Sequence, residues 1–104
     1  MHEVNVAVFA AAYAKGAVVI DVREPDEYAS GHVPGAWLMP LRALAHRLGE
    51  VPRGERVYVI CATGNRSLSA ADALVRAGID AVSVAGGTGG WRRAGQPVTL
   101  GARP

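Results

Sequence analysis

The chain has 104 residues, half of them hydrophobic, and a formal charge of +2. That length supports one modest core, so one domain over residues 1–104 is expected, and so slight a charge gives no argument for nucleic acid or a membrane surface. A single cysteine excludes an intramolecular disulfide and any cysteine-built metal cluster, and three scattered histidines lack metal-ligand spacing.

The opening Met1-His2-Glu3-Val4 has no basic region, so no signal peptide is expected. The longest apolar run, Val6 to Ala14, is far short of a membrane span. A reducing, cytoplasmic setting is the expectation. Asn5 suits the N-cap of a helix over Val6 to Lys15, closed by Gly16. Ala17 to Val22 is a continuous apolar run with one acid, as in a parallel strand covered on both faces. Glu24 to Ala29 suits a short helix with proline in its first turn, ended by Gly31. Gly31 to Gly35 forms a turn before a short strand, Ala36 to Met39. Apolar residues at 41, 44, 45 and 48 mark one face of a helix, which Pro52 and Gly54 terminate.

Val57-Tyr58-Val59-Ile60 reads as a buried strand running straight into Cys61, followed by the tight loop Ala62-Thr63-Gly64-Asn65-Arg66. Ser67 to Ala77 reads as a helix capped by Ser67 and stopped by Gly78. Ala81 to Val84 is a further strand, and the glycine run Gly86 to Gly90 leads into Trp91 and a short helix. That run lacks the Gly-Lys-Ser/Thr ending of a phosphate loop. Strands alternating with helices at this spacing predict an α/β domain with a mainly parallel sheet, whose ligand crevice lies at the carboxyl ends of the strands.

Cys61 stands at such an end. Free N–H groups at a helix start carry positive partial charge, and Arg66 adds a full one. Both lower a thiol's pKa and favour the nucleophilic thiolate. The competing reading is a buried, inert cysteine. Arg66 would bind an anionic donor, tune the thiolate, or tie its guanidinium to a backbone carbonyl. Asp21 and Arg23, two apart on extended chain, share a face and either orient the loop or form a buried pair or turn hydrogen bond. His32 is expected to hold its turn, with His2 and His46 solvated. Trp91 is expected in the core, and Asp26, Glu27, Arg92 and Arg93 as surface charges. An exposed Cys61 would be open to oxidative dimerisation.

Four segments in this order, Asp21-Val22-Arg23-Glu24-Pro25-Asp26-Glu27-Tyr28, Gly31-His32-Val33-Pro34-Gly35-Ala36, the cysteine loop, and Gly86-Gly87 with Gly90-Trp91, resemble the single-domain rhodaneses, a sulfurtransferase family. The resemblance spans nearly the whole chain. It implies a rhodanese-like sheet of about five mainly parallel strands with helices on both faces. It also implies a persulfide on Cys61, loaded by thiosulfate or a persulfide or polysulfide and unloaded by cyanide or a thiol. Cys61 would be the nucleophile, Ala62, Thr63, Gly64, Asn65 and Arg66 the substrate cradle, and Asp21, Arg23 and Ser67 supporting residues. No cofactor or metal is implied. The expected partners are a small sulfur donor and acceptor, with a protein acceptor as an extension.

Two alternatives stand beside this. Cysteine phosphatases and arsenate reductases of related fold place five residues between cysteine and arginine and commonly a histidine before the cysteine. Here four residues intervene and Ile60 precedes, so that chemistry is disfavoured. The second is a non-catalytic sulfur carrier or interaction module of the same fold. The loop also lacks the lysine of some thiosulfate-preferring members and differs from the Cys-Gly-Ser-Gly form of mercaptopyruvate users.

Overall fold

The β-branched runs pair side by side because each is too apolar to leave either face in water. A computed structural model describes residues 2–104. Strands β1 (Glu3–Val4), β2 (Val18–Asp21), β3 (Trp37–Leu38), β4 (Val57–Ile60) and β5 (Ala81–Val84) form one sheet in the order β1-β5-β4-β2-β3. Every neighbouring pair is parallel. The strand leading to Cys61 is therefore central, with Asp21 opposite Ile60 on one side and Ser83 opposite Val59 on the other.

Side chains alternate across the sheet with the strand period of two. Ile20, Val57 and Val59 pack against Ala70, Ala71 and Leu74 of helix α3 (Asn65–Arg76). Val19, Ile60 and Val84 face the other way. They meet Phe9 of α1 (Val6–Tyr13), Tyr28 of α2 (Pro25–Ala29) and Trp91 of α4 (Gly87–Arg93). Phe9 lies between Tyr13, Tyr58 and Trp91, with ring centroids 5.2–6.0 Å away. Trp91 also donates its indole N–H to the Pro97 carbonyl at 2.7 Å, so it is core, as expected. Asn5 caps α1 by accepting the Val8 N–H at 2.8 Å.

Some boundaries differ from the expectations. Residues 41–50 form two 3-10 segments, Leu41–His46 and Leu48–Glu50, in place of an α-helix from Leu41 to Leu48. At about three residues per turn, Leu41 and Leu44 still align while Ala45 swings out to solvent. Helix α3 begins at Asn65, so Ser67 is not its cap. Gly64 holds that place at φ +112°, with no capping side chain. Helix α4 starts inside the glycine run itself.

Candidate active site

Residues from the carboxyl edge of the sheet and from two helix starts meet at Cys61. Its Sγ accepts the backbone N–H of Gly64 at 3.1 Å and of Ser67 at 3.3 Å. The Ser67 hydroxyl lies 3.3 Å from Sγ and 2.7 Å from the hydroxyl of Ser83 on β5. Both serines are fully buried. When Cys61 is a thiolate the Ser67 O–H must point at the sulfur, which leaves Ser83 to donate to Ser67. Burial pushes the Cys61 thiol up. The Ser67 hydroxyl and the N–H groups of Ser67, Gly64 and Thr63 outweigh it and hold the thiol below its usual range. Cys61 is only 1% exposed, so the accessible thiol expected to invite oxidative dimers is absent.

The loop is clamped from outside by α4. Thr88 N–H donates to the Cys61 carbonyl at 2.8 Å and Gly89 N–H to the Ala62 carbonyl at 3.1 Å. This approach needs glycine. A Cβ on Gly87, at φ +58°, would stand 2.5 Å from the Cys61 oxygen and 2.6 Å from the Ala62 oxygen. On the opposite side, a Cβ on Gly64 would press on Gly86 N at 3.3 Å. The two glycine-bearing segments are thus stacked backbone to backbone. Thr63 and Asn65 are exposed on the loop's outer edge.

Arg66, in the first turn of α3, is tied to a carboxylate rather than to a carbonyl. Its two terminal nitrogens meet the Glu27 oxygens at 2.7 and 2.8 Å. The guanidinium beside Glu27 holds that carboxyl down at about 2, and the carboxylate in turn raises the Arg66 pKa further. Glu27 is therefore no ordinary surface charge. It also accepts the Glu24 N–H at 3.1 Å, closing the start of α2 as a capping box. Glutamates at 24 and 27 astride Pro25 were the signal for that box, but nothing local announces Arg66. Asp26, Arg92 and Arg93 are exposed, as expected, and so are His2 and His46.

Asp21 and Arg23 form the buried ion pair. Arg23 Nη2 meets Asp21 Oδ2 at 2.8 Å and donates to the Gly31 carbonyl at 2.9 Å. Neither makes a hydrogen bond to the cysteine loop among the described residues. Their effect there is electrostatic, since Asp21 raises the Arg66 pKa and Arg23 lowers that of Glu27. His32 holds its turn, stacked on Tyr28 at 3.6 Å with Nδ1 donating to the Tyr28 carbonyl at 2.7 Å. Ser83 and Thr88 are the residues around Cys61 that sequence reasoning did not single out, while Gly87 was seen only as part of the glycine run. Among the described residues no His, Cys, Asp and Glu cluster suits a metal, and no helix is long and apolar enough to cross a membrane.

The geometry offers a low-pKa sulfur in a small ring of N–H donors, suited to holding a compact anion at Sγ. Comparison with known proteins adds the lineage. The chain is 40% identical over 80 residues to a protein of Pseudomonas entomophila named thiosulfate sulfurtransferase GlpE, covering 76% of this chain and 73% of that one. It is 33% identical over 82 residues to a protein of Allochromatium vinosum named sulfurtransferase, covering 78% and 77%. The crystal structure of a rhodanese-related protein from Thermoplasma volcanium superposes with a TM-score of 0.87 at 34% identity, covering 96% of this chain and 99% of that one. The model of the rhodanese-like domain matches residues 5–94. With the parallel sheet, the cysteine loop and these relatives in agreement, the chain belongs to the rhodanese-like domain family.

Proposed function

We propose that the protein is a sulfurtransferase that carries sulfane sulfur on Cys61. The donor is thiosulfate or a persulfide or polysulfide, and the acceptor is cyanide, a thiol or a protein thiol. The observation that carries this reading is the convergence of the Gly64 and Ser67 N–H groups and the Ser67 hydroxyl on one buried sulfur. An inert core cysteine needs no such donors, and an interaction module has no use for them.

The chemistry is two displacements. The Cys61 thiolate attacks the outer sulfur of the donor. A Sγ–S bond forms, the donor's S–S bond breaks, and its electron pair leaves on sulfite or a thiolate. The terminal sulfur, now an anion at the helix start, gains the positive end of α3 and the loop amides as its cradle. The acceptor then takes that sulfur and the electron pair returns to Cys61. Each displacement balances without a cofactor. Ala62 to Arg66 are the loop that shapes the cradle. Asp21 and Arg23 support it from behind by fixing the Gly31 turn, which ends α2.

Intact mass tests the reading. After thiosulfate or an alkyl persulfide, without reductant, Cys61 gains one sulfur, and cyanide removes it. A protein that never gains sulfur from any of these donors, while Cys61 still alkylates, is not a sulfurtransferase of this kind. Sulfur that loads but turns over only with a protein acceptor identifies a carrier.

A further inference from the structure

The cysteine loop's own Arg66 and the nearby Arg23 and Arg42 are each matched by a carboxylate, while Arg93 of α4 has no carboxylate partner among the described residues. Asp21 neutralises Arg23 and Glu27 neutralises Arg66, while Glu24, at the start of α2, binds Arg42 at 3.0 Å. The Arg66–Glu27 bridge matters most, because Arg66 precedes Ser67 and feels the charge of Cys61. Both its side chains stay about one-third exposed, at 38% and 32%, so an incoming ligand meets them. The bridge uses one edge of the guanidinium fork, the geometry that would otherwise grip a sulfonate.

We propose that Glu27 is a specificity-determining residue: by holding Arg66 in a two-pronged ion pair, it withholds the loop's own cation from an incoming donor and directs the site to alkyl persulfides over thiosulfate. This rests on Cys61 carrying the sulfur, as proposed above. Thiosulfate brings two negative charges toward a thiolate and departs as sulfite, so it gains most from the cation beside Cys61, which Glu27 has already occupied. An alkyl persulfide brings at most one charge at its reacting end. The Cys61 thiolate attacks the terminal sulfur of RSSH. The Sγ–S bond forms, the S–S bond breaks, and the electron pair leaves on RS⁻, which takes a proton from water. The proton on the transferred sulfur then dissociates from the Cys61 persulfide. No oxidant or reductant is required.

The test compares kcat/KM for thiosulfate and for the persulfide of 2-mercaptoethanol, which carries no other charge. Glu27→Gln keeps the acceptor for the Glu24 N–H but removes the negative charge. Thiosulfate use is expected to rise about tenfold in this variant, with persulfide use within about twofold of the original protein. The thiosulfate rate of the variant should fall steeply with added salt, where that of the original protein is nearly flat. Glu27→Asp, which retains the carboxylate, should keep most of the original ratio. An unchanged donor ratio in Glu27→Gln, or an equal loss with both donors, overturns the proposal and leaves Glu27 a structural residue. Absence of any Cys61 persulfide in the original protein overturns the sulfurtransferase reading itself, a separate outcome read by mass.

Discussion

Ser67 and Ser83 share a 2.7 Å hydrogen bond directly behind Cys61, linking the first turn of α3 to β5 beneath the sulfur. The bond leaves the Ser67 hydroxyl one free direction, toward Sγ. Ser83→Ala removes the donor that fixes this orientation, and Ser67→Ala removes the hydroxyl itself. The Cys61 pKa is expected to rise in both, more in Ser67→Ala. Alkylation at pH 7 by a small haloacetamide should slow by roughly 2- to 10-fold in the order original, Ser83→Ala, Ser67→Ala. Equal rates in all three would remove the relay from the account.

The thiolate itself is the second prediction. Cys61→Ser is isosteric enough to keep the Ser67 and Gly64 contacts, so its thermal unfolding should lie close to that of the original. Sulfur loading should vanish. Loading that persists in this variant would put the sulfur on another atom and end the assignment of Cys61.

The Arg66–Glu27 pair makes stability depend on acid. Glu27 binds its proton more weakly in the folded protein, at about 2, than in the unfolded chain at about 4.5. Its contribution is therefore full above about 4.5 and is lost as pH falls from there toward about 2. The pair is partly solvated, which keeps its contribution to about 1 kcal/mol or less. Denaturant midpoints measured from pH 6 to pH 2 should fall less steeply for Glu27→Gln than for the original protein. Parallel curves would show that the pair adds nothing.

The Asp21–Arg23 pair responds differently because it is buried. Arg23→Leu leaves a carboxylate in the interior without its partner and frees the Gly31 carbonyl. A loss of roughly 3–5 kcal/mol is expected, read from chemical denaturation. Asp21→Asn in the same background should recover part of it by deleting the stranded charge. If the single variant loses less than about 1 kcal/mol, water reaches the pair and its burial is not as described.

Gly87→Ala should be costly in a way its small size conceals. The new methyl would strike the Cys61 and Ala62 carbonyls, and the residue would also have to hold φ +58°. Loss of roughly 1–3 kcal/mol is expected from the strained backbone alone. Thiol alkylation should change with it, because α4 can no longer dock on the loop. An unchanged alkylation profile would mean that the clamp does not shape the site.

Much of this molecule is legible in its sequence because the signals are local. Asn5 announces the start of α1, Pro25 that of α2, and the run Val57 to Ile60 its own burial. What escapes is set by distant contacts. Strand β1 is only Glu3–Val4 and exists because Ser83 N–H and Ala85 N–H find the carbonyls of His2 and Val4. The start of α3 at Asn65 leaves no side-chain signal, because Gly64 caps the helix by conformation alone. A glycine-rich helix such as α4 contradicts propensity, and its first N–H groups are held by the cysteine loop instead. The Arg66–Glu27 pair escapes because the two residues lie 39 apart in the chain. The strand–loop–helix setting of Cys61 is legible, and Ser67 is expected beside it as a cap and supporting residue, but Ser83 beneath them leaves no local signal.

The clamp of α4 on the cysteine loop also orders events in time. A chain leaving the ribosome exposes Cys61 and Arg66 before Ser83, Gly87 and Thr88 emerge. Until β5 inserts between β1 and β4, the sulfur has neither its hydroxyl relay nor the outer brace of its loop. The surroundings of Cys61 thus come from segments on both sides of it in the chain, and they are complete only when β5 and α4 have docked.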